Sequence, residues 1–459
     1  MQSKVVVIGA GISGLAAAHR LSRLAHHVTV LEASGRLGGQ IHTATLADRP
    51  VDLGAEALIA SAPGVVTLLE ELGLTDDVVH AVTGRTLLWT ERGLQALPSG
   101  VGPSGPTRLG PVIRSRVLSL GGLARAALEP LVPRRTGGED VAVGDFVAAR
   151  FGRQVADRFV DPLLGGLHAG DVHRLSLRAT SPQLAAIADQ HRSIVLAHRS
   201  RAGGAPSFIS LRGGMGTLVE ALASTAPLRV RCATTVRCLA STGEGYRVEL
   251  TDGTALDADA VVMALAGHRA GALLRDLVPE AARHLGQLTS ASVATVVMAY
   301  PSEAVQGTAL TSATGILVPS TRRRLLKSAT FLSTKWPHLH HPHHVLVRLS
   351  AGRARESQIA GLDDDELVQR LHADLAEATG LAISPGPRVV QRWPSSLAQL
   401  EVGHLDRLAT LRSSLAGHPR VALAGAAYDG VGIASCLRSG EAAATQLHRA
   451  LLPNAELVG

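Results

Sequence analysis

The sequence predicts an α/β protein that combines a βαβ-based domain with a mixed α+β domain and a helical insertion. Three observations predict this class: a glycine-rich turn between a strand and a helix near the N-terminus, a long helical stretch dotted with arginines, and a later run of strand patterns. A chain of 459 residues also exceeds what one hydrophobic core usually supports, so more than one domain is expected.

The composition is typical of a globular protein and limits its partners. Hydrophobic residues make up 46% of the chain and charged residues 18%, and no apolar run is long enough to span a bilayer. The net charge of +7 comes almost wholly from arginines, which are scattered along the chain, so nucleic acid binding is not indicated. The low cysteine count and an N-terminus without a signal-peptide pattern predict a cytoplasmic location.

The first part of the chain has the pattern of one complete βαβ unit. The β-branched run Lys4–Ile8 predicts a strand, Gly9–Gly14 a turn, Leu15–Leu24 a helix and Val28–Glu32 a second strand. Farther along, Pro63–Leu72 predicts another helix.

The remaining elements are assigned from the same periodicities. Residues 112–202 are expected to be mainly helical, and Gly100–Pro111 before them is expected to be a loop. Further helices are expected over Asp363–Glu377, which has acidic residues in its first turn, and over Gly440–Leu452. Strands are expected over Leu228–Arg231, Thr234–Ala240, Tyr246–Leu250, Ala258–Leu265, Val293–Tyr300, Ile316–Pro319, Ala329–Leu332, His344–Leu349 and Val421–Gly425.

The turn after the first strand carries the pattern GxGxxG, placed directly between a strand and a helix. Glycines let the backbone approach a pyrophosphate, and the helix N-terminus offers it N–H donors and a positive dipole end. Glu32 ends the next strand, where a carboxylate can accept hydrogen bonds from ribose hydroxyls. The sequence therefore predicts a Rossmann-like dinucleotide site, with NAD and FAD both open at this point. The motif residues are Gly9, Ala10, Gly11, Ile12, Ser13 and Gly14.

The segment after the second strand favours one of these two cofactors. Residues 31–39 read LEASGRLGG and resemble the LEAxxRxGG signature of the amine oxidase and protoporphyrinogen oxidase superfamily of flavoproteins. The resemblance implies FAD, bound by a segment in which Ala33 follows Glu32, Arg36 pairs with phosphate, and Gly38 and Gly39 let the backbone lie against the cofactor. Cys436 stands in a different setting from a flavin-tethering cysteine, so the FAD is expected to be non-covalent.

Within this superfamily, further stretches resemble protoporphyrinogen and coproporphyrinogen oxidases, in the family's order and over nearly the whole chain. The arginine-rich, lysine-poor composition resembles that of high-GC Gram-positive (actinobacterial-like) bacteria, in which this family commonly acts on coproporphyrinogen III. The matching stretches are residues 51–56 (VDLGAE), 169–171 (AGD), 175–180 (LSLRAT), 211–216 (LRGGMG), 327–337 (KSATFLSTKWP), 392–394 (RWP), 402–404 (VGH), 425 (G) and 430–433 (GVGI).

The resemblance implies an FAD-dependent oxidase of haem biosynthesis. Such an enzyme removes hydride equivalents from a porphyrinogen, passes electrons to molecular oxygen and repeats the cycle three times, giving coproporphyrin III or protoporphyrin IX and hydrogen peroxide. A ferrochelatase is then a candidate recipient of the product. The helical insertion corresponds to the family's membrane-associating region, and Val112–Arg135 predicts at most a peripheral contact at the inner face of the membrane.

The resemblance also assigns site residues by position. Reduced flavin carries negative charge at its N1 side, which a helix N-terminus at 431–433 could stabilise. The substrate's propionates call for arginine forks, and Arg85 is the first candidate, with Arg178 behind it. No nucleophile or metal is required, because the flavin supplies the chemistry. The residues expected at the flavin are Gly54, Ala55, Glu56, Ala57, Val236, Trp393, Gly425, Val431, Gly432 and Ile433.

Some features depart from the family's pattern. Aromatic residues are only 2% of the chain, so stacking surface for a macrocycle is scarce, and residues 395–400 read SSLAQL where the family more often has an AMPQY-type run. GAEA at 54–57 replaces the usual GPNS and puts the Glu56 carboxylate near the flavin, where it would change the electrostatics of the pocket unless paired. A paralogue that oxidises an amine or a specialised-metabolite intermediate, and a non-catalytic flavoprotein, therefore stay open. The histidine-rich segment 338–344 is expected to be a solvated loop rather than a metal site.

The expected domain division is discontinuous. Residues 1–85, 205–265 and 390–459 are expected to form the FAD-binding domain, and residues 100–204 the helical insertion. Residues 266–389, joined by residues 86–99, are expected to form the mixed α+β substrate-binding domain. The sequence does not predict the oligomeric state.

Overall fold

The computed structural model describes residues 2–103, 105–133, 139–199 and 208–452. The predicted boundary at 204/205 and the last two residues of the segment Val112–Arg135 lie outside these ranges. Within them, the search for a helix with the length and apolar character of a membrane span finds none.

The strands and helices follow in chain order. The strands are β1 (Lys4–Ile8), β2 (His27–Leu31), β3 (Thr43–Leu46), β4 (Arg49–Asp52), β5 (Leu58–Ile59), β6 (Val78–His80), β7 (Thr86–Thr90), β8 (Gly93–Ala96), β9 (Val101–Gly102), β10 (Gly105–Pro106), β11 (Phe208–Leu211), β12 (Arg229–Arg231), β13 (Val236–Ser241), β14 (Tyr246–Leu250), β15 (Ala255–Ala258), β16 (Ala260–Met263), β17 (Ser290–Pro301), β18 (Gly315–Leu317), β19 (Leu326–Phe331), β20 (His344–Ala351), β21 (Arg388–Ala398) and β22 (Val421–Leu423). The helices are α1 (Ile12–Arg23), α2 (Val65–Glu71), α3 (Leu109–Ser115), α4 (Leu120–Ala127), α5 (Val143–Phe151), α6 (Arg153–Val155), α7 (Gly166–His168), α8 (Leu177–Thr180), α9 (Pro182–Gln190), α10 (Ile194–Arg199), α11 (Gly216–Ser224), α12 (Gly267–Leu274), α13 (Pro279–Gly286), α14 (Ala309–Ser312), α15 (Leu332–Lys335), α16 (Asp364–Thr379), α17 (His404–Ser414), α18 (Ala426–Asp429) and α19 (Ile433–Leu451), with a π-helical segment at Ala156–Gly165.

The nucleotide-binding part is built on a parallel sheet with the strand order β12-β2-β1-β16-β22. β1 pairs in parallel with both β2 and β16, so the βαβ unit predicted from the N-terminal sequence is confirmed. Val5 and Val7 face α1 and α19 on one side, while Val6 and Ile8 face the antiparallel sheet β13-β14-β15 on the other. This two-sided burial explains why β1 is apolar throughout, as parallel strands usually are.

A second, seven-stranded sheet has the order β21-β17-β20-β19-β18-β7-β8 and carries the mixed α+β part of the fold. It is mixed because β18 and β7 are parallel whereas the other neighbours are antiparallel. α16 covers one face with Leu367, Leu371 and Leu375 in a common core. The opposite face meets the loops of the nucleotide-binding part, and it therefore positions the candidate site.

The middle of the chain forms the expected helical insertion in its described residues. α5 and the π-helical segment supply the large buried side chains Phe146, Phe151 and Phe159. A buried ion pair between Arg150 and Glu129 joins two of its helical turns at 2.5 Å. The predicted α/β class, with its helical insertion, is confirmed.

Several predicted bounds were wrong. α1 begins at Ile12 inside the glycine motif, because Gly14 is a first-turn helical residue packed against Gly9. α19 begins at Ile433 rather than at residue 440, so the GVGI stretch opens that helix directly. The expected loop Gly100–Pro111 holds the β9-β10 hairpin and the start of α3. β21 was missed because Pro394 and its polar neighbours mask its alternation.

The described structure also alters the bounds of the domain division. β21, which holds residues 388–398, belongs to the seven-stranded sheet and not to the parallel sheet. α12 and α13 pack with Val6, Val261 and Met263 of the parallel sheet. We therefore propose that the substrate-binding part begins with β17 and ends with β21, and that residues 86–96 join its sheet.

Candidate flavin and substrate site

The turn between β1 and α1 is closed so tightly that side chains are excluded. Gly9 has φ +100°, and a Cβ there would stand 2.5 Å from the carbonyl oxygen of Ala264. A Cβ on Gly14 would stand 1.9 Å from the oxygen of Gly9, well inside any allowed contact. These two glycines therefore serve the protein's own packing.

Gly11 differs from its neighbours because its Cβ position is open. Its φ of −69° suits any residue, and a Cβ there would meet only the Cα of Gly39, at 3.9 Å. It caps α1 without any side-chain hydrogen bond, and the first turn of α1 holds no acidic residue. An uncapped helix N-terminus beside an open glycine fits a pyrophosphate, since it offers N–H donors and a positive dipole end.

A second wall is formed by the segment from Arg36 to Ile41. Gly38 donates its N–H to the oxygen of Ala10 at 2.8 Å, and Gly38 and Gly11 form an isolated parallel bridge. Gly38 adopts φ +98°, where a Cβ would stand 2.6 Å from the oxygen of Ile41. The two predicted glycine segments therefore lie side by side, which brings their backbones together in one cradle.

The Glu32 carboxylate accepts hydrogen bonds from two residues of this region, Ala10 and Ser34. Oε2 accepts from the backbone N–H of Ala10 at 2.9 Å, and Oε1 accepts from the N–H and hydroxyl of Ser34 at 2.8 and 2.7 Å. A carboxylate offers about four acceptor positions, so Oε2 keeps capacity for a further donor. This remaining acceptor capacity fits the predicted hydrogen bond from a ribose hydroxyl. Ala33 follows Glu32 at the exposed edge of the segment.

Arg36 makes hydrogen bonds within its own segment. Its guanidinium donates to three backbone oxygens of its own segment, those of Leu37 at 3.1 Å, Ile41 at 3.0 Å and Gly39 at 2.7 Å. It also lies over the ring of Trp393, 5.7 Å from the centroid. Arg36 thus braces the cradle, and its pairing with phosphate stays a prediction.

Trp393 lies where the two sheets meet. It is buried, its Nε1 donates to Thr295 Oγ1 at 3.2 Å, and a Cβ on Gly54 would stand 3.1 Å from its ring. Thr295 in turn donates to the oxygen of Leu53. The structure therefore brings Gly54, Arg36 and Trp393 together, as the predicted flavin neighbourhood requires.

The Glu56 carboxylate, which the sequence left without a partner, lies between two cations. Oε1 is 2.5 Å from Lys335 Nζ and Oε2 is 2.9 Å from Arg348 Nη2. Burial alone would raise the pKa of the Glu56 carboxyl, but the charges of Arg348 and Lys335 outweigh it and hold the pKa below its usual range. Ala55 and Ala57 flank this charged residue and are half-buried.

Arg348 was missed by sequence reasoning, although it connects the two parts of the site. It also donates to the backbone oxygens of Asp52 at 3.2 Å and Gly54 at 2.9 Å. The one signal in the sequence is a cation, opposite in charge to Glu56, within the apolar strand pattern of residues 344–351 (HVLVRLSA). Lys335, by contrast, lies within the KSATFLSTKWP stretch that resembled the family.

The C-terminal segment brings a second helix N-terminus to the same region. α19 begins after Gly432 without a side-chain cap, and Gly440 of α19 packs against Ser13 of α1. Gly425 donates its N–H to Ser439 Oγ at 2.9 Å, which fixes the turn before α18. Ile433 is buried in the core shared with α1, and Val431 precedes it.

Val236 and the two arginine candidates lie in separate places. Val236 is the first residue of β13. It follows closely after Thr234, whose backbone N–H donates to the backbone oxygen of Glu32 at 2.8 Å. Arg85 is exposed, immediately before β7. Arg178 forms an ion pair with Asp189 at 3.2 Å. Both arginines stay predictions as substrate ligands.

The histidine-rich segment and Cys436 are the remaining features that the sequence singled out. The histidine-rich segment forms a short turn and loop between α15 and β20. Among the described residues, no group of three or more His, Cys, Asp or Glu side chains is arranged to hold a metal ion. Burial raises the pKa of the Cys436 thiol, which disfavours the thiolate that nucleophilic chemistry would need.

We expect Gly11→Ala to weaken FAD binding about tenfold or more while leaving the fold intact. The new methyl group enters the open side of the cradle, where it displaces cofactor rather than protein. The check is a titration of apo-protein with FAD, followed by quenching of flavin fluorescence.

Gly417→Ala is the matched control, since a Cβ there meets nothing within 4 Å and lies far from the cradle. Both variants should unfold within about 0.5 kcal/mol of the parent apo-protein. A Gly11→Ala protein that binds FAD like the control would show that the cradle does not hold the cofactor.

Comparison with known proteins places this geometry in a family. The family model described as flavin containing amine oxidoreductase matches residues 12–448. The chain is 33% identical over 457 residues to a coproporphyrinogen III oxidase of Bacillus subtilis, covering 96% of both chains. It is 33% identical over 453 residues to a coproporphyrinogen III oxidase of Mycobacterium tuberculosis, covering 97% of both.

A solved structure gives the same result for the fold. A protein of Exiguobacterium sp. 255-15, assigned as a protoporphyrinogen oxidase, superposes with a TM-score of 0.88 at 28% identity, over 98% of this chain and 99% of that one. A putrescine oxidase variant superposes with a TM-score of 0.71 at 16% identity, over 98% and 99% of the chains, which shows a shared fold alone.

Proposed function

Because this chain belongs to the family of flavin-containing amine oxidoreductases, with FAD as its cofactor, we propose that it is an oxygen-using oxidase of a porphyrinogen in haem biosynthesis. The observation that carries the proposal is the full-length relationship to coproporphyrinogen III oxidases at 33% identity. Coproporphyrinogen III is therefore the substrate we favour, ahead of protoporphyrinogen IX.

The chain's own residues bind and orient, and the bound flavin supplies hydride acceptance and electron transfer to oxygen. The uncapped N-termini of α1 and α19 would stabilise anionic parts of the bound cofactor. Arg348 and Lys335 neutralise Glu56, so no uncompensated negative charge stands beside Gly54.

The experiment is oxidation of anaerobically prepared coproporphyrinogen III, and separately of protoporphyrinogen IX, by the purified holoprotein in air. We expect porphyrin fluorescence to appear faster with coproporphyrinogen III, with three molecules of hydrogen peroxide per porphyrin formed. A yellow protein that oxidises neither substrate would refute the proposal and favour the amine or specialised-metabolite paralogue.

We also propose that the helical insertion touches a membrane surface and delivers product there, ferrochelatase being one possible recipient. Ile113, Leu120, Leu128 and Leu131 are exposed large hydrophobic residues on or just after α3 and α4, and Leu120 is 86% exposed. Arg114 and Arg116 lie beside them and are exposed. Cosedimentation with anionic vesicles should be lost in a Leu120→Ser, Leu131→Ser variant, and equal cosedimentation would contradict the contact.

A further inference from the structure

The face of the seven-stranded sheet that meets the nucleotide-binding part carries a polar row. Gln391, Thr295, Ser350 and Ser328 lie directly opposite one another on β21, β17, β20 and β19. Opposed residues in antiparallel strands share a face, so we call this row the inner face. It begins beside Trp393 and ends at Ser328.

Lys327 lies next to the end of this row, at an irregularity in the pairing of β19. The register with β20 shifts between Leu326 and Ser328, which leaves Lys327 without an opposite residue. Its side chain is only 5% exposed. The positive charges of Arg353 and Arg348 act on it, which places it within electrostatic reach of both.

The Lys327 ammonium has no anionic partner among the described residues. Burial, followed by the charges of Arg353 and Arg348, lowers the pKa of Lys327 to about 7. Arg353 donates to the oxygens of Arg324 and Val318 and forms no ion pair, whereas Arg348 shares Glu56 with Lys335. A buried ammonium without an acceptor is costly, unless a ligand supplies the acceptor.

His168 stands beside Lys327 and is also incompletely bonded. It is buried, its Nδ1 has no hydrogen-bond partner, and burial together with the charge of Lys327 lowers its pKa to about 4. Gln399 holds the segment in place by donating to the His168 oxygen at 2.8 Å. The following residue, Ala169, accepts from the Ala354 N–H at 2.7 Å, so the segment is fixed to the end of β20.

We propose that Lys327, with His168 beside it, binds a carboxylate of the substrate at the end of the inner face. This inference rests on the proposed function and deepens it, because it assigns a specificity residue for a porphyrinogen bearing propionates. The ammonium donates charge-assisted hydrogen bonds to the carboxylate, and Nδ1–H of the neutral His168 tautomer donates a further one. A porphyrinogen with more propionates supplies a carboxylate to the Lys327 ammonium more readily than one that carries vinyl groups in their place.

The test uses holoprotein and two unreactive probes: coproporphyrin III, which carries the carboxylates, and its tetramethyl ester, which does not. Porphyrin fluorescence titration gives the dissociation constants. Lys327→Met should weaken coproporphyrin III binding about tenfold or more and leave the ester unchanged, since a charge-assisted hydrogen bond is lost. Lys327→Arg should retain most of the affinity.

The pH dependence gives a second readout. Affinity of the parent protein for coproporphyrin III should fall as the pH rises through and above about 7, where Lys327 loses its proton. His168 stays neutral over this range, because its pKa is lowered to about 4. The other charged groups that act in this region are Arg348, Arg353 and Asp161, whose carboxylate accepts from the Ser320 N–H at 2.7 Å. Lys327→Met should lose this slope.

The outcomes separate this inference from the proposed function. Parent protein that binds neither porphyrin contradicts the proposed function itself. If the parent protein binds coproporphyrin III and Lys327→Met binds it equally well, the carboxylate site alone is overturned. The same holds if Lys327→Met loses as much affinity for the ester as for coproporphyrin III. Melting of Lys327→Met at or above the parent temperature shows that the variant is folded, because a buried unpaired charge has been removed.

Discussion

Arg348→Met should lower the free energy of unfolding by about 1.5–3 kcal/mol, because it removes one of the two cations bonded to the buried Glu56 carboxylate and leaves only Lys335. The side chains of Arg348 and Glu56 are only 15% and 10% exposed. Removing the guanidinium deletes the ion pair with Glu56 and the bonds to the oxygens of Asp52 and Gly54. Urea unfolding followed by circular dichroism measures the loss.

Arg370→Met is the matched control for this prediction. Arg370 and Glu366 form an ion pair one turn apart on α16, with side chains 57% and 42% exposed. Such a pair contributes about 0.5 kcal/mol or less. If both variants lose the same small amount of stability, the buried cluster does not hold the two sheets together.

Gly440→Ala should cost about 3 kcal/mol of stability and weaken FAD binding at least about tenfold. A Cβ at this position would stand 2.2 Å from the backbone oxygen of Ser13 and 2.9 Å from the Cβ of Ala16. α1 and α19 must then separate, and the two helix N-termini that we propose as cofactor contacts move with them. Urea unfolding and FAD titration of the same preparation measure the two effects.

Gly286→Ala provides the control, since Gly286 ends α13 and a Cβ there meets nothing within 4 Å. We expect this change to be neutral or to stabilise by a few tenths of a kcal/mol, through the smaller entropy of the unfolded chain. Gly440→Ala with normal stability and normal FAD affinity would mean that the close crossing of α1 and α19 is not needed.

The sequence carried enough information for the parallel sheet and the cofactor cradle. Local signals decide both: a buried β-branched strand, a glycine turn and a following helix lie within residues 4–31, and structure and similarity confirm the α/β fold and FAD. Helix bounds were less accurate, because glycines in GxGxxG and GVGI suggest loops although both segments open helices.

The charged part of the site could not be predicted in the same way. Arg348 and Glu56 are far apart in sequence, and pairing between them depends on how two sheets dock, which no local pattern encodes. No local pattern showed that Arg36 also donates to three nearby carbonyl oxygens of its own segment. In the sequence, Lys327 is one residue of the stretch that resembles the family, and nothing marks it as a ligand. Its burial in the structure is what suggests the carboxylate site that we propose.

Anaerobic mixing of the holoprotein with coproporphyrinogen III tests the central claim most directly. The proposed porphyrinogen oxidase predicts that the visible absorbance of the bound flavin bleaches as porphyrin fluorescence appears, and that admission of air restores the flavin with formation of hydrogen peroxide. A flavin that stays oxidised with coproporphyrinogen III and with protoporphyrinogen IX would contradict the account, although FAD itself is bound.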